Sequence, residues 1–195
     1  MALSAIESLS RTSHGVSDTS SSPQKQDLLL VGNSLSQHAR ENLLAAIRWA
    51  YRGSNDVLER PDAVLSFLLG VAARVSLGLL DPNQSLYRTW RTRVAYQTDP
   101  EDIPRAMQHF ASCFVSRRSE ADPVDMAAFV EYEIDGVIHP FADGCGRTAR
   151  VCSTSILARA SIVPPRYPCR EEYYDRIGHG WRAWSAYYRT LVPQG

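Results

Sequence analysis

His139, Asp143, Arg147 and Arg150 stand within one short stretch, "HPFADGCGRTAR", whose Gly144 and Gly146 flank a cysteine, Cys145. Histidine ordinarily titrates near operating pH, so His139 suits removal of a proton from an incoming hydroxyl. Asp143 supplies a hard oxygen for a magnesium ion bridging two phosphates. A glycine-rich turn that runs into a helix gathers backbone amides at the positive helix end, and Gly144 and Gly146 carry no side chain to obstruct an anion there. Arg147 and Arg150, one helical turn apart, add forked, charge-assisted hydrogen bonds to further phosphate oxygens. Base, metal-binding acid, anion nest and arginines together spell transfer of a phosphorus-centred group from a di- or triphosphate to an alcohol.

Two other classes stay open on the same residues. Cys145, between glycines at a helix start and close to His139, has the setting in which a lowered pKa makes a thiol a nucleophile. A non-catalytic nucleotide- or protein-binding module is the third reading, since a fold can persist without its chemistry. A metal set of His139, Asp143, Cys145 and Cys152 matches no standard zinc spacing.

The stretch needs a helix on either side. Asp122 and Pro123 form a helix start, an acceptor for the cap followed by a proline preset for the first turn, and Val130, Ile134 and Val137 carry a buried stripe to Ile138. That helix must stop ahead of Pro140, which leaves His139 at its exit. A second helix is expected over residues 147–162, ended by Pro164 and Pro165. Upstream, helices are expected from near Ser36 to Tyr51, over residues 61–80 with Val64, Leu68, Val71 and Val75 inward, and over residues 103–115. Downstream, Tyr173, Ile177, Trp181, Trp184 and Tyr188 predict one helix over residues 170–191, its aromatic stripe serving as core. Residues 86–98 are rich in β-branched and aromatic types and read as a hairpin or flap containing the strand Arg93, Val94, Ala95 and Tyr96. The expected fold is mainly α with a short β-hairpin flap.

Composition narrows the partners. In 195 residues, 44% hydrophobic, one domain with a sizeable core is expected, over residues 28–195, behind a flexible Ser-rich tail at residues 1–27. Acidic and basic residues balance at 21 each, so neither nucleic acid nor a membrane surface is called for. All basic residues but Lys25 are arginine and no G-x-x-x-x-G-K-[ST] occurs, so phosphate must be held by arginine or backbone. The four cysteines lack a C-x-x-C pair and read as reduced thiols. No signal core or membrane-length apolar run is present, which predicts a cytoplasmic protein. The Ser-rich leader keeps delivery into a host cell by a specialised secretion system as the alternative.

"HPFADGCGRTAR" resembles the signature of the Fic (Fido-fold) proteins, H-P-F-x-[DE]-G-N-G-R-x-x-R, at His139, Pro140, Phe141, Asp143, Gly144, Gly146, Arg147 and Arg150, with Cys145 in place of the asparagine. "LLDPNQSLYR", "RVAY" and "DIPRAM" resemble the family's segments around its target-docking flap, and "REEYYDRI" its helix after the motif. The resemblance implies a helical Fic-type fold in which His139 is the general base and Asp143 binds Mg2+. Gly144, Cys145, Gly146, Arg147 and Arg150 would grip the nucleotide, Phe141 would anchor the loop, and Arg93 to Tyr96 would dock the target. It implies transfer of AMP from ATP, or of another phosphorus-containing group, to a Ser, Thr or Tyr hydroxyl of a protein. Cys145 puts the donor in question, because a thiol cannot reproduce an amide's hydrogen bonds. The family's inhibitory pattern, [ST]-x-x-x-E-[GN], has no exact copy. "SQHAREN" misses it by one residue, which leaves restraint by a separate inhibitory protein as the alternative.

Overall fold

The computed structural model describes residues 35–52, 58–91 and 98–193. The Ser-rich tail and the flap residues Arg93, Val94, Ala95 and Tyr96 lie outside the described residues. Seven α-helices are present among those described: α1 (Gln37–Arg52), α2 (Pro61–Val75), α3 (Ile103–Arg118), α4 (Pro123–Glu131), α5 (Cys145–Arg159), α6 (Arg170–Gly178) and α7 (Trp181–Leu191). The expected hairpin is not seen among them. Among the described residues of that segment, 86–91 and 98, Tyr87 forms an isolated antiparallel bridge with Phe141.

Amphipathic spacing accounts for most of the helices. On α2 the stripe Val64, Leu68, Val71 and Val75 is buried, and it meets Leu43 and Ile47 of α1, Met107 and Phe110 of α3 and Val151 of α5 in one core. α2 ends at Val75 rather than Leu80, because Gly78 takes a left-handed backbone, φ 66°, that turns the chain back. α4 starts as its sequence demands: Asp122 Oδ1 accepts from the amides of Val124 at 2.8 Å and Asp125 at 2.9 Å, with Pro123 in the first turn.

A second core joins α4, α5, α6 and α7 through Tyr167, Tyr173, Trp184 and Tyr188. Ala127 and Ala128 leave room on α4 for Trp184, whose indole N–H donates to the Ala128 carbonyl at 2.9 Å. The aromatic stripe is therefore core, but it runs over two helices. Gly180, at φ 89° and ψ 167°, breaks the expected single helix between α6 and α7. Between the two cores Glu131 is buried, accepting from Ser153 Oγ, from the Tyr167 hydroxyl at 2.7 Å and from the Tyr188 hydroxyl at 3.4 Å. Burial raises its pKa despite the pull of Arg150.

Candidate active site

α4 does not end cleanly; it widens into a π-helical segment, Tyr132–Ile138, closed by the His139 amide donating to the Ile134 carbonyl at 3.1 Å. Gly136 suits this segment, since a Cβ there would stand 3.0 Å from Ile177 of α6. His139 then takes a left-handed conformation, φ 45° and ψ 60°, which costs a non-glycine residue about 1–2 kcal/mol and turns the chain toward Pro140. The expected exit of the helix at His139 is thus built from a widened turn and a left-handed residue.

The turn is held by Arg88, whose role no sequence signal announced. Its side chain is only 2% exposed, and the guanidinium donates to the carbonyls of His139 at 2.6 Å, Ile138 at 3.2 Å, Trp90 at 2.8 Å and Thr98. The backbone beside it follows suit: Arg88 N–H donates to the Pro140 carbonyl at 3.0 Å, and Ala142 N–H to the Leu86 carbonyl at 3.0 Å. Phe141 lies in the core with its ring stacked on Tyr87 at 6.0 Å, so the loop is anchored from beneath.

After Ala142 the loop passes through Asp143 and Gly144 into α5, which begins at Cys145, two residues earlier than expected. Gly144 sits at φ 77°, and a Cβ there would come within 2.7 Å of Val75 on α2. No side chain caps this helix start. Its first-turn amides therefore point at the loop, the arrangement that receives an anion. Arg147 folds back over Gly144 and ion-pairs with Asp143 at 2.6 Å, while its Nη1 is buried without a partner. Arg150 takes a different course: it is buried beside Gly146, over the ring of Tyr173 at 5.1 Å, with Nε and Nη1 unpartnered. Burial opposes its charge, but Tyr173, Asp135 and Glu131 together raise its pKa. The two arginines thus approach the two loop glycines separately.

Cys145 is buried, and its thiol works as a loop staple, accepting from the Phe141 amide at 3.2 Å and donating to the Phe141 carbonyl at 3.4 Å. Burial raises the thiol's pKa more than the neighbouring His139 lowers it, the opposite of an activated nucleophile. All four cysteines are free, Cys145 and Cys152 buried and Cys113 and Cys169 half-buried. Iodoacetamide on the folded protein is therefore expected to label Cys113 and Cys169 more than about tenfold faster than Cys145, as read by peptide mass mapping. Labelling of Cys145 first would restore the thiol nucleophile.

The His139 ring is fixed by its own helix. Nδ1 lies 3.0 Å from the Asp135 carbonyl, an acceptor only, so Nδ1 carries the hydrogen and the neutral ring keeps its lone pair on Nε2. Burial works against the charged ring, yet the neighbouring Asp135 outweighs it and the pKa is pushed up to about 10. Among the described residues no three His, Cys, Asp or Glu side chains gather as a metal site.

Residues 67–157, which contain the whole of this loop, match the Fic/DOC family. The chain carries a Fic/DOC family domain. It is 39% identical over 81 residues to the protein adenylyltransferase Fic of Nematostella vectensis, covering 40% of this chain and 19% of that protein. Its likeness to the protein adenylyltransferase Fic of Drosophila grimshawi is 31% over 150 residues, 73% of this chain and 30% of the fly protein. The chain thus spans less than a third of the length of these relatives. Among solved structures, a Fic domain containing signaling protein from Bacteroides thetaiotaomicron superposes with a TM-score of 0.58 at 16% identity, over 82% of this chain and 70% of that one. That likeness shows the mainly α Fic-like fold. Among the described residues of the domain, no helix is long and apolar enough to cross a membrane.

Proposed function

We propose that this Fic domain transfers AMP from ATP to a Ser, Thr or Tyr hydroxyl of a target protein, with His139 as general base. The observation that carries the reading is the pairing of His139, its Nδ1 committed to the Asp135 carbonyl, with the uncapped start of α5 at the far end of the same short loop. The target oxygen forms a bond to the α-phosphorus, the bond from that phosphorus to the bridging oxygen of pyrophosphate breaks, and the hydroxyl proton passes to His139 Nε2. Gly144, Cys145 and Gly146 supply backbone amides to the phosphates, and Arg147 and Arg150 supply guanidinium donors. The buried, unpartnered Nη1 of Arg147 and Nε and Nη1 of Arg150 suit such acceptors.

Magnesium fits the donor set. One half-exposed carboxylate, Asp143, beside a phosphate nest is the sparse protein contribution this ion takes when a nucleotide supplies other oxygens. Bound there, it would offset the donor's negative charge. Asp143 must then release Arg147, which frees that guanidinium for a phosphate. Arg93, Val94, Ala95 and Tyr96 would pair with the target as an added strand. The described ends of that segment adjoin the His139 turn, where the Thr98 amide donates to the Val137 carbonyl at 3.2 Å.

The test is mass spectrometry of protein targets incubated with the full chain, Mg2+ and ATP, GTP, CTP or UTP in turn. A nucleoside monophosphate increment on a hydroxyl residue, largest with ATP, is expected. Folded protein that binds none of the four nucleotides by calorimetry, with or without Mg2+, would remove this reading.

A further inference from the structure

Asp135 is the anomaly at this site. Its side chain is 0% exposed, and neither carboxylate oxygen accepts a hydrogen bond. A buried carboxyl group without donors is costly, so its nearest charged neighbour decides what it does. That neighbour is His139: Oδ1 lies 3.5 Å from Nδ1, while the same residue's carbonyl accepts from Nδ1 at 3.0 Å. The other oxygen, Oδ2, lies across the loop beside Gly146, where a Cβ would approach it to 2.8 Å. One residue therefore places two oxygens near the Nδ1 edge of the ring, and the glycine opposite makes room for it.

The remaining charged and titratable groups around the pair are few. Cys145 from α5 acts on the ring, and Arg88 meets only the His139 carbonyl. Arg150 from α5, Tyr173 and Tyr174 from α6, and the buried Glu131 one turn before it at the end of α4 lie near Asp135. None of them hydrogen-bonds its carboxylate.

We propose that Asp135 is the positioning residue of His139: it holds the ring with Nε2 outward and favours the imidazolium formed when Nε2 takes a proton, and so sets the pH range in which the domain works. The second part rests on the reading of His139 as general base. Histidine oriented and charged by a buried acid behind Nδ1 is a general solution to moving a proton at a fixed atom. The sign follows from charge. Removing the acid's charge destabilises the imidazolium, so His139 gives up its proton at lower pH and the acid limb of the rate moves down with it.

The experiment is an NMR titration of the His139 ring in the free full chain, native and Asp135→Asn, beside the pH dependence of transfer for both. The native ring is expected to hold its proton well above the ordinary range, and Asp135→Asn to lower its titration midpoint by more than one pH unit. The acid limb of transfer should move with it, so that the variant gains on the native protein below neutral pH. A native midpoint at or below the ordinary histidine value overturns the proposal without any variant. So does a midpoint that Asp135→Asn leaves in place in a protein whose melting is cooperative. A ring titration that moves while the rate profile stays still upholds the Asp135–His139 coupling and instead removes His139 as the base.

Discussion

His139→Ala is expected to lower transfer by roughly 10²-fold or more while leaving Mg–ATP binding essentially intact. Two features make the substitution clean. The left-handed backbone at this position costs alanine about what it costs histidine, roughly 1–2 kcal/mol, so the exchange adds little strain. The bonds that hold the turn, from Arg88 to the carbonyls of residues 138 and 139 and from the His139 amide to Ile134, involve the main chain and persist. What is lost is the ring, with its lone pair at Nε2. Labelled ATP with a cell lysate reports transfer, calorimetry reports binding and thermal melting reports the fold. Labelling by the alanine variant at the native rate would show that another group takes the proton. A parallel collapse of nucleotide affinity would show that the ring props up the α5 start.

The loop that carries the candidate residues was legible in the sequence because those residues are close in the chain. His139 before Pro140, the glycine pair and Arg147 define a local turn, and local turns are written in local residue types. The start of α4 at Asp122 and Pro123 and the inward stripe of α2 could be read for the same reason. What escaped depends on contacts between distant segments or on backbone that periodicity does not see. Tyr173, Ile177, Trp181, Trp184 and Tyr188 keep helical spacing across Gly180, so the stripe concealed the break that "GHG" spelled out. That the Arg150 guanidinium lies over Tyr173 depends on a residue of α6, about which the spacing of the loop says nothing. Asp135 had a signal, an acid between Ile134 and Ile138 on a buried face one turn before a histidine, and it takes the three-dimensional placement to give that signal meaning. Arg88 had none: an arginine in a segment expected to form a surface hairpin reads as solvent-facing.

Arg88→Met is expected to be among the most destabilising single changes in the domain. The guanidinium reaches four main-chain carbonyls from three places in the chain, those of Ile138 and His139, Trp90, and Thr98. Methionine fills much of the volume and removes every donor. Each carbonyl stranded away from water costs about 1–3 kcal/mol, though some will rehydrate as the segment loosens, so a net loss on the order of 3–5 kcal/mol is expected. Against a typical domain stability of about 5–15 kcal/mol that is a large fraction, readable as a lower urea midpoint. Arg88→Lys should fall between the two, because an ammonium can donate to some of these carbonyls but lacks the planar fork that reaches them together. The loss should also be local before it is global: with the fork gone, the amides of Thr98 and His139, which close this corner, should exchange with deuterium faster than those of α2. A methionine variant within about 1 kcal/mol of the native protein would mean that the carbonyls find water without cost, and that the left-handed turn at His139 is held by Pro140, Phe141 and the π-helical segment alone.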